Sequence, residues 1–92
     1  MMKETAYTIG LKAITYILGE EDLLSRFIAL SGIGENEIVE SLQDPNFLSA
    51  SLDFLLNNEK DLISFCDDSN IDRNEPWNAS RILGGNNDWN SP

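Results

Sequence analysis

Apolar residues recur along this chain at spacings of three and four, interrupted every ten to fifteen residues by short glycine, asparagine, aspartate or proline breaks. That period places side chains along one face of an α-helix, and each break marks a helix end. The clearest segment is Asp44 to Leu56. Asp44 has a side-chain acceptor for the free N–H groups of a first turn, and Pro45 stands where a missing N–H costs nothing. Phe47, Leu48, Ser51, Leu52, Phe54 and Leu55 then trace a stripe that must be buried against other elements.

The same reading predicts a first helix from about Glu4 to Leu18 with a broad apolar surface. Ala6, Ile9, Ala13, Tyr16 and Ile17 lie on one side, and Tyr7, Leu11, Ile14 and Leu18 on a neighbouring one. Gly19 is expected to end it in a left-handed conformation, and Glu20, Glu21 and Asp22 to place negative charge at the start of the next helix. That second helix carries Leu23, Leu24, Phe27, Ile28 and Leu30 and stops at Ser31-Gly32-Ile33-Gly34. Glu35, Asn36 and Glu37 open a short third helix with Ile38, Val39 and Leu42 directed inward.

After the Asp44 helix, Asn57 or Asn58 closes one element and Asn58 caps the next, which is lined by Leu62, Ile63, Phe65 and Cys66. Asp67-Asp68-Ser69-Asn70 reads as a polar break, with Ile71 stapling the following helix from outside. Two starts compete for that last helix. Asp72 with Glu75 has the spacing of a capping box, but Pro76 would then delete a backbone bond, so Asn74 or Glu75 is the alternative cap. Trp77, Ile82 and Leu83 are expected to supply its apolar contacts, and Gly84-Gly85 to end it.

No segment alternates with period two, so no sheet is expected. The fold class is all-α, a compact bundle of five to six short helices over residues 1–85. Residues 86–92 form a polar, mobile C-terminal tail in which Trp89 is an obvious anchor, for its own domain before any partner.

With 92 residues, the chain can bury one core without disulfides or a metal. A single cysteine excludes an internal disulfide, and with no histidine the usual soft-metal and haem ligand sets are missing, so no metal and no cofactor are expected. No long apolar run is present to act as a signal peptide or a membrane span, and a reducing, cytoplasmic setting fits.

Charge narrows the partners. Sixteen acidic residues against six basic ones give a net charge of −10, and Lys3, Lys12, Arg26, Lys60, Arg73 and Arg81 are scattered singly. Such a chain repels phosphates and anionic lipid, which argues against nucleic acid and membrane surfaces as partners. Its acidity either keeps a small protein soluble or steers it toward a basic partner protein.

Arg26-Phe27-Ile28-Ala29-Leu30-Ser31-Gly32-Ile33-Gly34, Asp44-Pro45-Asn46-Phe47-Leu48 and Leu52-Asp53-Phe54-Leu55-Leu56-Asn57-Asn58-Glu59 form an ordered set of motifs, and Arg81-Ile82-Leu83-Gly84-Gly85 adds a C-terminal one. Together they resemble the small alphaproteobacterial family known as domain of unknown function 3572, from about Ala13 to Gly85. That resemblance implies a bacterial, soluble, helical protein and carries over no catalytic or binding residues. The Asn-rich tail departs from the more alanine-rich members.

Four local patterns could carry chemistry. Ser31-Gly32-Ile33-Gly34 has the look of a helix-hairpin-helix turn, but Glu35 and Glu37 at its mouth would repel a phosphate, which favours a plain reversing turn. With Asp44-Pro45 and Leu55-Leu56 it also has a fold-level likeness to ubiquitin-associated three-helix domains. Ala50-Ser51-Leu52-Asp53 has a faint likeness to acyl carrier proteins, but Asp44-Pro45 start the helix seven residues earlier and set Ser51 in its middle. Cys66 reads as a small buried hydrophobe, and Asp67, Asp68 and Asp72 lack the glycine and terminal glutamate of a calcium loop.

No nucleophile–base set is present, so no catalytic residues are assigned. The function expected is a non-enzymatic protein–protein interaction or regulatory module. The alternative is a binding or carrier module for a small apolar or acyl ligand. Self-association through Tyr7, Leu11, Ile14 and Leu18 of the first helix is compatible with either.

Overall fold

In the computed structural model, residues 1–84 are described; the expected tail at 86–92, with Trp89, lies outside them. The chain runs α1 (Lys3–Leu18), α2 (Glu21–Ser31), α3 (Glu35–Ser41), α4 (Pro45–Leu56), α5 (Glu59–Ser69) and α6 (Asn74–Leu83), with no strand among the described residues. The Cα radius of gyration is 12.5 Å, close to the roughly 12 Å of a folded domain of this length.

The breadth of the apolar surface on α1 has a simple cause: α1 is the central helix, packed against α6, α4, α2 and α5. Ala6, Ile9, Gly10, Ala13, Ile14 and Ile17 are all buried, so the helix is covered on more than one side. Its closest approach is at Gly10. A Cβ there would lie 2.9 Å from Leu48 Cβ of α4 and 3.0 Å from Leu83 Cδ1 of α6, so the three helices can meet only over a residue with no side chain.

Around that centre α4 contributes Leu48, Ser51, Leu52 and Leu55, all fully buried, and α5 contributes Phe65 and Cys66. Phe65 packs against Tyr16 of α1 with ring centroids 5.6 Å apart. The second helix is held by Leu23 and Phe27, and α3 by Ile38 and by the Tyr7 hydroxyl, which donates to the Leu42 carbonyl at 2.9 Å.

The start of α4 is built as its sequence implies. Asp44 Oδ1 accepts from Asn46 N–H at 2.9 Å and Pro45 takes the first helical position. Asn58 caps α5, its side-chain oxygen accepting from Asp61 N–H. Gly32 ends α2 with φ of 74°, the left-handed conformation glycine adopts without strain.

Five details differ from the sequence reading. Gly19 does close α1, but with φ of −83°, so it is not a left-handed cap. The fifth helix does not stop at Asp67: it continues through Asp67, Asp68 and Ser69 and ends on Asn70, which takes φ of 56° while Asn70 and Ile71 N–H groups donate to the Cys66 carbonyl. Two aspartates on a water-facing side do not break a helix whose inner side is still packed. Val39, expected inside, is 73% exposed, because the single turn of α3 that reaches the core is spent on Ile38.

Trp77 is likewise not an inward contact. It stands exposed on α6 with the Arg81 guanidinium 4.5 Å from its ring, while Pro76, Ala79, Ser80 and Leu83 face inward. None of the candidate caps of α6 takes the N-cap position, which Arg73 holds, with Asn74 and Glu75 already helical. Glu75 Oε2 accepts from Asp72 N–H at 2.8 Å, half of the capping box, and Glu75 N–H donates to the Asp72 carbonyl, the acceptor that Pro76 cannot serve.

Candidate functional site

Helices α2 and α4 are bridged by aromatic rings. Phe27 of α2 meets Phe47 and Phe54 of α4 edge-on, with centroids 5.8 and 5.4 Å apart. Three rings spanning a gap leave a groove above them. It is an open hollow of about 250 Å³ bounded by Phe27, Leu30 and Ser31 on one side and by Ala50, Asp53, Phe54 and Asn57 on the other. Both sets follow helical spacing, from Phe27 to the end of α2 and from Ala50 to just past the end of α4.

Leu30 stands on the rim, 78% exposed. At the far edge Arg26 lies over the Phe54 ring at 5.5 Å and pairs with Asp61 of α5 at 2.8 Å, the one ion pair among the described residues. Asp53 is the carboxylate of the groove wall, and it is fixed from behind: the buried Ser80 hydroxyl of α6 donates to Asp53 Oδ1. The buried Ser49 hydroxyl in turn lies 3.0 Å from the Ser80 carbonyl and 3.1 Å from its hydroxyl, so the two serines fasten α4 to α6. A hydroxyl that is satisfied on both sides holds a carboxylate in one orientation.

A second open groove, about 500 Å³, runs between α1 and α5 past Lys12, Tyr16, Glu20 and Asp68. The Tyr16 hydroxyl is pushed above its ordinary range by burial, with Glu20 and Asp68 adding to the shift and a Ser64 hydrogen bond opposing it.

The residues singled out from sequence do not assemble into a site. Ser51 is fully buried and its hydroxyl donates back to the Phe47 carbonyl at 3.0 Å, so it presents nothing for a carrier arm. Cys66 is buried, and burial pushes its thiol above the ordinary value, with Asp67, Glu75 and Asp72 adding to that and Arg73 opposing it. A thiol so held is a poor nucleophile at neutral pH. Among the described residues no group of three or more carboxylates or thiols converges as metal ligands, so Asp67, Asp68 and Asp72 stand apart from one another as a site.

The Ser31–Gly34 turn is occupied by its own chain: Glu37 Oε1 accepts from Gly34 N–H at 2.8 Å. The four residues proposed for self-association are divided between surfaces. Ile14 is in the core, Tyr7 and Leu11 are half-buried, and Leu18 is exposed.

Sequence reasoning missed Leu30 and Asp53. One signal for Leu30 was available: α2 carries six apolar residues in eleven, spread over more of the helix than one neighbour can cover. Nothing in the sequence places Asp53 beside Ser80, because that pairing joins residues 27 positions apart.

No helix of the described residues is long and apolar enough to cross a membrane. Comparison with curated proteins and with solved structures gives no match. The sequence does match one family model, over residues 3–86, and a match spanning nearly the whole chain places this protein in the DUF3572 family of proteins of unknown function.

Proposed function

We propose that the protein is a non-enzymatic interaction module that docks a partner protein on the α2–α4 groove. The observation carrying this reading is Leu30, a large aliphatic side chain 78% exposed beside an aromatic-floored groove on a chain of net charge −10. An apolar rim next to concave aromatic surface is what a partner's anchoring side chain requires. The groove's 250 Å³ suits one or two side chains, below the roughly 300–1,000 Å³ of a site that encloses a small ligand. The carrier alternative loses its attachment point with the burial of Ser51.

The test compares wild-type protein and Leu30→Asp as baits in extract of the source cells. Leu30 is exposed, so the variant is expected to fold with unchanged circular dichroism, and a protein retained by wild type is expected to be lost. Identical captures by both baits, or a small molecule retained by wild type in native mass spectrometry, would overturn the reading.

A further inference from the structure

The electrostatics of the groove follow from where it lies. Its walls run up to the C-terminal ends of α2 and α4, at Ser31 and Leu56. Each helix C-terminus carries roughly half a negative charge on carbonyls that have no partner in the helix. A Lys or Arg in the last turn commonly offsets that charge, and neither helix has one. Asp53, a lining residue of the groove, adds a full negative charge near these ends, with one carboxylate oxygen accepting from the Ser80 hydroxyl. Arg26, whose guanidinium lies over the groove's Phe54 ring, is engaged by Asp61.

Resting on the interaction reading, we infer that the groove receives a cationic side chain, arginine or lysine, from an amphipathic segment of the partner, with Asp53 as its counter-ion and Leu30 and Phe54 covering the apolar residues that flank it. Two uncompensated helix ends and one fixed carboxylate favour a cation. An aromatic floor favours a cation with an apolar stem, since such side chains lay their methylenes on apolar surface and keep the charged head at its edge. An anionic or purely aliphatic segment would bury the Asp53 charge with no counter-ion and only the Ser80 hydroxyl as partner, which costs more than the apolar contact returns.

The probe is a short amphipathic peptide of leucine and arginine, titrated into 15N-labelled protein at physiological salt, beside the same peptide with citrulline for arginine, which keeps shape and hydrogen bonding but no charge. Amide shifts are expected to cluster at the C-terminal turns of α2 and α4. Asp53→Asn, which keeps an oxygen for the Ser80 hydroxyl, is expected to weaken the arginine peptide about tenfold, the scale of a charge-assisted hydrogen bond. Asp68→Asn, whose carboxylate lines the other groove, is expected to change binding less than about twofold.

Citrulline is expected to cost wild type about as much as Asp53→Asn does, and to cost Asp53→Asn little more, the non-additivity that marks a direct pair. Equal losses from Asp53→Asn and Asp68→Asn, or additive losses with citrulline, would overturn the assignment and leave only a diffuse acidic field. If Leu30→Asp loses the captured protein while Asp53→Asn retains it, the cation assignment falls and the interaction reading stands. If captures are indifferent to Leu30, the interaction reading itself falls.

Discussion

Replacing Gly10 with alanine sets two effects of known sign against each other. On an exposed helix the change would stabilise, since alanine exceeds glycine in helix propensity by about 1 kcal/mol. At Gly10, however, the new methyl carbon would sit 2.9 Å from Leu48 Cβ and 3.0 Å from Leu83 Cδ1. Carbon atoms in contact prefer about 3.5–4.0 Å. Leu83 can turn its methyl away, but Leu48 Cβ is fixed to the backbone of α4, so α1 and α4 must separate by several tenths of an ångström.

Overpacking of that kind costs about 1–3 kcal/mol. Against the propensity gain it leaves a destabilisation of about 1 kcal/mol, which lowers the Tm of a domain this size by about 4–8 °C. Thermal unfolding followed by circular dichroism measures it, with Gly19→Ala as the control. Gly19 has right-handed φ and its added Cβ would meet only the Thr15 and Tyr16 carbonyls at 3.6 Å, an ordinary contact. Gly19→Ala is therefore expected to leave Tm unchanged or raise it. A Gly10→Ala variant as stable as wild type would refute the close crossing of α1, α4 and α6, and a marked loss in Gly19→Ala would mean that α1 ends in the left-handed conformation after all.

On α3, Ile38→Ala is expected to cost about 2–5 kcal/mol and Val39→Ala under about 0.5 kcal/mol, because Ile38 is buried and Val39 is 73% exposed; urea unfolding of the two variants checks it. Asp44→Ala removes the acceptor for Asn46 N–H and is expected to lower stability by about 1 kcal/mol in the same assay. Stability is also expected to decline at alkaline pH. Burial raises Cys66 above 9.0 and Tyr16 above 10.0, so over the window starting at each ordinary value the unfolded chain gives up a proton that the fold retains, and stability falls as pH rises. Cys66→Ala with Tyr16→Phe is expected to flatten the stability profile from pH 9.0 upward.

Ser49, Ser80 and Asp53 show how a polar chain can act mechanically without chemistry of its own. Two buried hydroxyls between α4 and α6 would each be costly if unpaired, and Ser49 donates to the Ser80 carbonyl while Ser80 donates to Asp53 Oδ1. Gly84 completes the junction: a Cβ there would lie 2.9 Å from Ser49 Oγ, so a glycine after α6 lets the chain leave over the serine pair. The groove wall is thereby tied to the bundle through α6, the helix with which α1 and α4 pack most extensively.

Local chemistry determined most of what could be read in advance. Helix starts written in side-chain acceptors, Asp44 with Pro45 and Asn58 with Asp61, depend on atoms two or three residues apart, and the sequence places them without help. The all-helical class and the six elements follow from periodicity in the same local way. Which side of a short helix turns inward is a different kind of fact. Val39 and Trp77 are as apolar as Ile38 and Leu83, and only the placement of neighbouring helices decides that the first pair faces water.

Gly10 is the point on which three helices converge, a role set by Leu48 and Leu83 at long range and not marked in the sequence. The groove likewise exists because Phe27, Phe47 and Phe54 bridge α2 and α4 across a gap, and because Ser80 reaches Asp53 from another helix. Turns and caps are fixed by bonded neighbours; a surface hollow and its charge are fixed by residues that meet only after the chain has packed.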